Sequence, residues 1–472
     1  PNAMSFRLSV DGVNLDALDS PVHAHRQSLD FRHGIQSRET VFALPGGGSL
    51  TMASRRFVSL ASERLLCAEY LVSTDTPVDL MISSGIDGDV WDINGPHLGN
   101  FRSRRQGDTI LLQATTSEQG ITVAVAETTC VANLPQGSQW REVGDGYSAR
   151  REVHVVTRPG EVYRFTKFAI VTHGNPDCAG AALAECQSAA EAGFEHWLAA
   201  QHTAWEARWK LCDIALTGDS EAQKALRFSM YHLLAIAPSF NPALSIPARG
   251  LSGQMYKGAN IWDTENYMLP FFVNSFPKLA RSLVAYRIRT LDGALRKAAE
   301  YGHRGAWYAW ESQESGDDAC TLFNINDVLT GRPMRTYFRD KQIHISADIV
   351  HAAWECFRAS DDLSLLADGG ARMVYEVCRF LASWVPFRPA TGKYVLLDVT
   401  GPDEYHERVH NDFWTNRIAR EAFRIGLEMD ALLAASAPAL RTAAHSAVGL
   451  TDGELESWRK ILDKLQTTVP DS

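Results

Sequence analysis

YRFTKFAIVT (residues 163–172) and FEHWLAAQHTAWEARW (residues 194–209) stand on either side of the point that decides the fold. In the first segment apolar and polar side chains nearly alternate between Tyr163 and Phe168, which is typical of a strand with one buried face. The second segment carries its large apolar side chains at helical spacing, at Phe194, Trp197, Leu198, Trp205 and Trp209. The sequence therefore predicts a change from strands to helices near residue 174.

The residues before this point form short runs rich in β-branched and aromatic residues, separated by turn residues such as Gly46-Gly47-Gly48. The runs lie at 6–10, 37–44, 65–72, 78–86, 109–114, 121–128, 149–157 and 162–172. No helical period interrupts them. Many short antiparallel strands predict a β-sandwich, which we place at residues 1–173.

The residues after this point favour helices throughout. We expect a helical linker at 174–211 and an all-α domain at 212–472, so the fold class is α+β with several domains. Candidate helices lie near 219–237, 270–291, 292–302, 345–359, 363–384, 411–435 and 452–467. Helix pairs whose connecting segments hold the Gly, Pro and Trp clusters are typical of an α/α toroid. Seven helices do not close a double-layered barrel, so we expect either a barrel that is incomplete in this chain or a smaller bundle.

Composition restricts the function classes further. Lys and Arg number 46 and Asp and Glu number 56, which gives a formal net charge of −10. An acidic, evenly mixed surface argues against a nucleic-acid partner or an anionic membrane, and no apolar run reaches the roughly 20 residues of a membrane helix. The eight cysteines include no CxxC pair, which favours free thiols in a reducing compartment. We expect a soluble, cytoplasmic protein.

The densest group of ionisable residues is DVTGPDEYHE (398–407), which follows the apolar segment YVLL (394–397). A carboxyl group at the edge of an apolar pocket has a raised pKa and stays protonated near neutral pH, as a general acid must. A solvated acidic loop is the alternative interpretation. HERVH (406–410) also matches the H-E-x-x-H pattern of zinc peptidases, through His406, Glu407 and His410. Because Pro402 and Asn411-Asp412 flank it, we expect a loop here, in which the two imidazoles are not presented on one helix face.

Two further segments pair a tryptophan with an acid: GANIWDTE (258–265) and GHRGAWYAWES (302–312). A Trp face can stack on a sugar ring while the adjacent carboxylate accepts hydrogen bonds from the ring hydroxyls. Trp262 with Asp263 and Trp310 with Glu311 are therefore candidate sugar-binding residues. The alternative is a core Trp beside a helix cap. In HISADI (344–349), His344 is a candidate for the same cleft and Ser346 a candidate N-cap; a histidine of the capping region without a catalytic role is the alternative.

At these segments the sequence resembles glycoside hydrolase family 65, which includes maltose, trehalose, kojibiose and nigerose phosphorylases as well as hydrolases. The matching motifs occur in the family's order: ARGLSG (248–253), WDTE (262–265), YGHRGA (301–306), WES (310–312), HISADI (344–349) and GPDEYHE (401–407). The resemblance implies an N-terminal β-sandwich, a helical linker and an (α/α)6 barrel. It places the general acid at Glu404, the glucosyl subsite at Trp262 and Asp263, and the acceptor side at Trp310 and Glu311.

This resemblance implies inverting phosphorolysis of an α-linked glucosyl disaccharide, or another α-glucoside, to β-glucose 1-phosphate. Inorganic phosphate is then a co-substrate, no metal or organic cofactor is needed, and the partner is a small sugar; homodimers are common in the family. An inverting α-glucoside hydrolase is the alternative, because the family's phosphate pocket and hydrolytic base lie C-terminal to the residues of this chain. A zinc metallopeptidase and an inactive sugar-binding protein are more remote alternatives.

Overall fold

The structure is a computed structural model that describes residues 1–92, 95–174, 177–239, 241–251, 253, 255–323 and 325–467. The chain divides into two compact units, Pro1–Ala235 and Ile236–Ser472. The first unit is built mainly from strands and the second mainly from helices, which confirms the α+β class. Among the described residues, no helix combines the length and apolar character that crossing a bilayer requires.

The first unit contains two large antiparallel sheets and a separate pair of short strands. The strands of the unit are β1 (Asn2–Val10), β2 (Val13–Leu15), β3 (Val22–Asp30), β4 (Ile35–Ala43), β5 (Ser49–Val58), β6 (Leu65–Thr74), β7 (Asp79–Asp87), β8 (Trp91–Asp92), β9 (Gly95–Pro96), β10 (Leu98–Gln106), β11 (Thr109–Thr116), β12 (Thr122–Ala132), β13 (Arg141–Val143), β14 (Ser148–Val156) and β15 (Tyr163–Gly174). The larger sheet has the order β10-β11-β12-β15-β6-β5-β4-β3, and the smaller has the order β13-β14-β7-β1-β2. β8 and β9 form a separate hairpin.

Strand β15 shows how its sequence builds two cores. Tyr163 and Phe165 lie in the core between the two sheets, whereas Phe168 and Ile170 on the opposite face pack against a helix. The prediction of one apolar and one polar face is therefore wrong, because both faces are covered. Lys167 lies on the same face as Tyr163 and Phe165, where it interrupts the apolar set. It is fully buried, and its ammonium donates to the carbonyl oxygens of Ser5 and Gly85.

Three helices complete the first unit: α1 (Cys178–Ala192), α2 (Phe194–Cys212) and α3 (Ser220–Ile236). The buried face of α1 packs on the larger sheet, beside Phe57, Leu111 and Phe168. α1 and α2 are separated at Gly193, whose φ of 83° is accessible to glycine at little cost. The compact units divide at residue 235 rather than at 211, and the three-part division 1–173, 174–211 and 212–472 stays a prediction.

In the second unit the helices are α4 (Leu269–Ser275), α5 (Pro277–Arg289), α6 (Leu291–Glu300), α7 (Phe338–Lys341), α8 (His344–Ser360), α9 (Leu363–Leu365), α10 (Ala371–Trp384), α11 (Phe413–Ser436), α12 (Pro438–Val448) and α13 (Asp452–Lys464). Short strands lie in the connections: β16 (Ala248–Leu251), β17 (Ile325–Asn326), β18 (Pro333–Met334), β19 (Phe387–Arg388) and β20 (Lys393–Tyr394). A 3-10 turn (Met255–Gly258) and two π-helical turns (Thr264–Met268 and Leu366–Gly370) occur as well. The long segments between helices carry the residues that the sequence marks as functional.

Candidate functional site

The candidate acid Glu404 lies on a loop, residues 399–410, that an isolated antiparallel bridge closes. The residue before the loop, Asp398, accepts a hydrogen bond from Arg408 Nε at 2.8 Å and pairs with Lys341 Nζ at 2.8 Å. These two cations lower the pKa of Asp398 to about 2. The base of the loop is thus held by ion pairs, which fixes where the loop presents Glu404.

The carboxyl group of Glu404 accepts a hydrogen bond on Oε1 from Gln342 Nε2, at 3.1 Å. Partial burial raises the pKa of Glu404, and the negative charges of Asp263 and Glu407 act in the same direction. The hydrogen bond from Gln342 and the charge of His344 oppose this shift without cancelling it. Glu404 therefore meets the electrostatic requirement for a group that stays protonated above the usual range of a glutamic acid.

His344 is the first residue of α8 and is completely buried. Its Nδ1 lies 2.6 Å from Asp348 Oδ2, and the other oxygen of Asp348 accepts a hydrogen bond from Trp414 Nε1 at 3.2 Å. The ring of Trp262 meets the imidazole edge-on, with 4.9 Å between ring centroids. Ser346 is not the predicted N-cap: it lies inside α8, and its hydroxyl instead accepts the backbone N–H of residue 308 at 2.9 Å.

Trp262 and Asp263 come immediately before the π-helical turn Thr264–Met268 and are both half-buried. Burial raises the pKa of Asp263, and the nearby Glu265 adds to the effect. Glu265 itself has a structural partner, because both of its oxygens accept hydrogen bonds from the buried guanidinium of Arg287, at 2.7 and 2.8 Å. Of the two acids in this segment, only Asp263 shares an electrostatic environment with Glu404.

Trp310 and Glu311 are held by a buried carboxylate that the sequence analysis does not single out. Asp318 accepts the backbone N–H groups of Trp310 and Glu311, at 3.0 and 3.1 Å, and pairs with Lys297 Nζ at 2.7 Å. The indole of Trp310 stacks on Phe338 with 4.9 Å between centroids. Burial raises the pKa of Glu311 and the charge of Asp318 adds to the shift. Trp310 and Glu311, which we call the shelf, are therefore held in place by Asp318, and the raised pKa of Glu311 disfavours its ionised form.

The tryptophan–acid segments meet through the backbone. Asn260 and Ser312 form an antiparallel bridge with two N–O distances of 3.0 Å, so the segment leading to Trp262 lies beside the one leaving Glu311. Buried side-chain atoms on these and the adjoining segments that have no hydrogen-bond partner among the described residues include Asn260 Oδ1, Trp310 Nε1, Glu311 Oε2, Gln342 Oε1 and His344 Nε2. Each such atom costs about 1–3 kcal/mol unless a ligand or water satisfies it. A ligand with many hydroxyl groups offers the donors and acceptors that this set requires.

A cavity of about 580 Å³ adjoins this group. Tyr267 and Trp414 line it; Tyr267 also contacts Trp262, and Trp414 donates to Asp348. The structure therefore brings Glu404, Asp263, Trp262 and His344 into one environment, and the shelf of Trp310 and Glu311 connects to it through the Asn260 bridge.

Sequence reasoning missed Gln342, Asp348 and Asp318 as site residues. Asp348 carried a usable signal, since His344 and Asp348 are four residues apart at the start of a helix and so share one face. Gln342 and Asp318 carried no such signal. Glu404 lies 62 residues from Gln342, and the ammonium of Lys297 that pairs with Asp318 lies 21 residues away in the chain.

The H-E-x-x-H segment lies in the loop rather than on a helix, as the flanking residues predict. The Nδ1 atom of His406 is 2.7 Å from Asp403 Oδ2, while Nδ1 of His410 accepts the backbone N–H of Asp398 at 3.0 Å. Within the described ranges, no three His, Cys, Asp or Glu side chains converge as metal ligands would. The helical geometry that the zinc-peptidase interpretation requires is not found at residues 406–410.

Comparison with known families agrees with the division of the chain into two units. A model of the glycosyl hydrolase family 65 N-terminal domain matches residues 1–208, and a model of the family 65 central catalytic domain matches residues 227–472. The chain therefore belongs to glycosyl hydrolase family 65.

Individual relatives extend this result. The chain is 37% identical to a nigerose phosphorylase of Lachnoclostridium phytofermentans, over 91% of this chain and 60% of the relative. It is 34% identical to a 1,2-α-glucosylglycerol phosphorylase of Bacillus selenitireducens, over 100% of this chain and 61% of the relative. The chain thus spans about three fifths of their length. A solved structure described as a putative kojibiose phosphorylase from human microbiome superposes with a TM-score of 0.85 at 19% identity, over 98% of this chain and 60% of that one, which supports the fold.

Proposed function

We propose that the natural protein containing this chain is an α-glucoside phosphorylase that inverts the anomeric configuration and that Glu404 is its general acid. Glu404 gives its proton to the glycosidic oxygen as the bond from that oxygen to C1 breaks. An oxygen of inorganic phosphate forms the new bond to C1 from the opposite face, which yields β-glucose 1-phosphate and the free acceptor. Glu404 is left as a carboxylate and recovers a proton from solvent. Phosphate is a co-substrate, and the step uses no metal or organic cofactor.

The observation that carries this proposal is the shared environment of Glu404, Asp263, Trp262 and His344. A carboxyl group with a raised pKa interacts electrostatically with a buried imidazole whose Nε2 has no partner in the described chain, and the ring of Trp262 meets that imidazole edge-on. We assign Trp262 to the apolar face of the glucosyl ring, and Asp263 and His344 to its hydroxyl groups. Trp310 and Glu311 are assigned to the acceptor.

The relatives favour phosphorolysis over hydrolysis. The two relatives of highest identity given above are both phosphorylases, of nigerose and of 1,2-α-glucosylglycerol. We therefore propose an α-linked glucosyl disaccharide or glucosylglycerol as substrate.

We also propose that the helices of the second unit belong to an (α/α)6 barrel. The succession of helices joined by long, motif-bearing connections supports this topology. A homodimer and a cytoplasmic compartment stay predictions from the sequence.

The test is a panel of α-glucosides, including nigerose, kojibiose, maltose, trehalose and 2-O-α-glucosylglycerol, incubated with and without inorganic phosphate. We expect glucose 1-phosphate to form from at least one substrate, only when phosphate is present. Glu404→Gln should lower kcat/KM by about 10²–10⁴-fold, the usual contribution of general acid catalysis. Glu407→Gln, which removes a neighbouring carboxylate of the same loop, should keep most of the activity. Release of free glucose independent of phosphate would indicate hydrolysis instead.

A further inference from the structure

Gln342 is a buried amide at the junction of α7 and α8, with 2% of its surface exposed. Its Nε2 donates to Glu404 Oε1 at 3.1 Å and also lies 3.4 Å from the carbonyl oxygen of Gly401. Both contacts reach the loop that carries the candidate acid. Gln342 is thus the buried polar side chain that joins the start of α8 to this loop.

The orientation of this amide follows from its partners. The carbonyl oxygen of Gly401 can only accept, so the group that faces it must be the amide NH₂. Reversing the amide would place Gln342 Oε1 against that carbonyl oxygen and bring two acceptors together. Because the NH₂ group therefore also faces Glu404 Oε1, this oxygen acts as an acceptor and cannot direct a proton toward Gln342.

We propose that Gln342 is a positioning residue that keeps the acidic proton of Glu404 on Oε2, the oxygen from which it is transferred to the leaving group. A carboxylic acid carries one proton, and an N–H donor fixed on one oxygen favours protonation of the other. The inference rests on the proposed role of Glu404 as general acid. It adds a role for each oxygen of Glu404: Oε1 accepts the hydrogen bond from Gln342, and Oε2 carries the proton that is transferred.

A second consequence distinguishes this role from simple packing. The hydrogen bond from Gln342 favours the ionised form of Glu404, since it is one of the contributions that lower its pKa. Removing the amide should therefore raise the pKa of Glu404 while lowering the rate of proton transfer. A variant that merely loosens the loop has no reason to change both quantities in these directions.

The test compares two substrates of the natural protein and its Gln342→Leu variant. One is the disaccharide turned over best; the other is α-glucosyl fluoride, whose fluoride leaves without help from an acid. Both carry the same glucosyl group, so loss of a contact to that group affects them equally. We expect Gln342→Leu to lower kcat for the disaccharide relative to the fluoride by about tenfold, the equivalent of one hydrogen bond. Glu404→Gln should change this ratio in the same direction and by more.

A matched control is Gln223→Leu in the first unit. The amide of Gln223 also makes two hydrogen bonds, both of them to backbone groups, at residues 214 and 216. This control should leave the substrate ratio unchanged. An unchanged ratio in Gln342→Leu, in a variant with a native circular dichroism spectrum, would overturn the proposal.

The titration of Glu404, followed by carbon NMR and assigned by its absence in Glu404→Gln, tests the proposal without turnover. Gln342→Leu should raise this pKa; an unchanged or lower value contradicts the assignment. Absence of phosphorolysis in the unsubstituted protein would refute the proposed function, while the titration would still decide the role of Gln342.

Discussion

Replacing Asp318 with asparagine removes the charge that organises the Trp310–Glu311 shelf while keeping its shape. The carboxylate of Asp318 has a side-chain exposure of 1% and pairs with Lys297, whose side chain is 4% exposed. An asparagine oxygen can still accept the backbone N–H groups, but it cannot neutralise the buried ammonium. Removing one partner of a buried ion pair lowers the free energy of unfolding by about 3–5 kcal/mol. Burial already lowers the pKa of Lys297, so loss of its proton limits the cost to the lower part of this range.

The adjacent residue provides the control. Asp317 pairs with Arg296 at 2.7 Å, but these two side chains are 57% and 56% exposed, and a surface pair contributes about 0–1 kcal/mol. We therefore expect Asp318→Asn to lower the free energy of unfolding by about 3 kcal/mol and Asp317→Asn by less than about 1 kcal/mol. Urea unfolding of the second unit, followed by tryptophan fluorescence at pH 7, measures both. The double variant Lys297→Met/Asp318→Asn should recover much of the loss.

Equal destabilisation by the two Asp→Asn substitutions would refute this reasoning. The reasoning would also be refuted if the double variant were as unstable as Asp318→Asn. The destabilisation would then arise from the backbone contacts and not from the uncompensated charge. The pH dependence gives a further check. The pairing with Lys297 lowers the pKa of Asp318 despite its burial, so its stabilising effect is present above the ordinary Asp pKa and is lost as pH falls through the lowered value. Asp318→Asn should lack this acid-dependent loss.

Three other predictions follow from the site. Glu404 must be protonated and burial raises its pKa, so kcat/KM should fall as the pH rises through that raised pKa. In a pH–rate profile this fall should be centred above about 4.3, the pKa of an unperturbed Glu, and a fall centred near 4.3 contradicts the assignment. Asp398→Asn should destabilise the protein at neutral pH but not at pH 2. The pKa of this carboxyl group is lowered from 3.8 to about 2, so the stability that it contributes is lost as the pH falls across that interval. Unfolding curves at several pH values test this. Trp262→Leu should raise KM for the α-glucoside by about tenfold, the equivalent of one aromatic contact, while Trp91→Leu, at an exposed position of the first unit, should leave KM unchanged.

Much of the fold could be predicted because most strands and helices bury a face that the sequence marks. The missed strands include β5 (Ser49–Val58), although its Leu50 and Phe57 are buried. Two others are β3 (VHAHRQSLD), which is exposed along its whole length, and β10 (LGNFRSRRQ), which is exposed along most of it. No hydrophobic alternation could reveal them, since their pairing depends on the neighbouring strands. The predicted helix at 270–291 is two helices, because the backbone of Phe276 is not helical and Pro277 begins α5. α12 was not predicted either, because Ala444 is its one buried residue.

For the candidate site, the sequence identified the segments and not their partners. Trp262, Asp263 and Glu404 could be named as candidates because their motifs combine aromatic and acidic residues in a way that suits sugars. That Glu404 is held by Gln342 depends on tertiary contacts across many residues of chain, which leave no local pattern.

The most direct test of the proposed reaction is the anomeric configuration of the first product. Time-resolved proton NMR of the natural protein with an α-glucoside and phosphate should show β-glucose 1-phosphate appearing first, with no such signal from Glu404→Gln. Appearance of α-glucose 1-phosphate or free glucose as the first product, or β-glucose 1-phosphate at an undiminished rate from Glu404→Gln, would contradict the account.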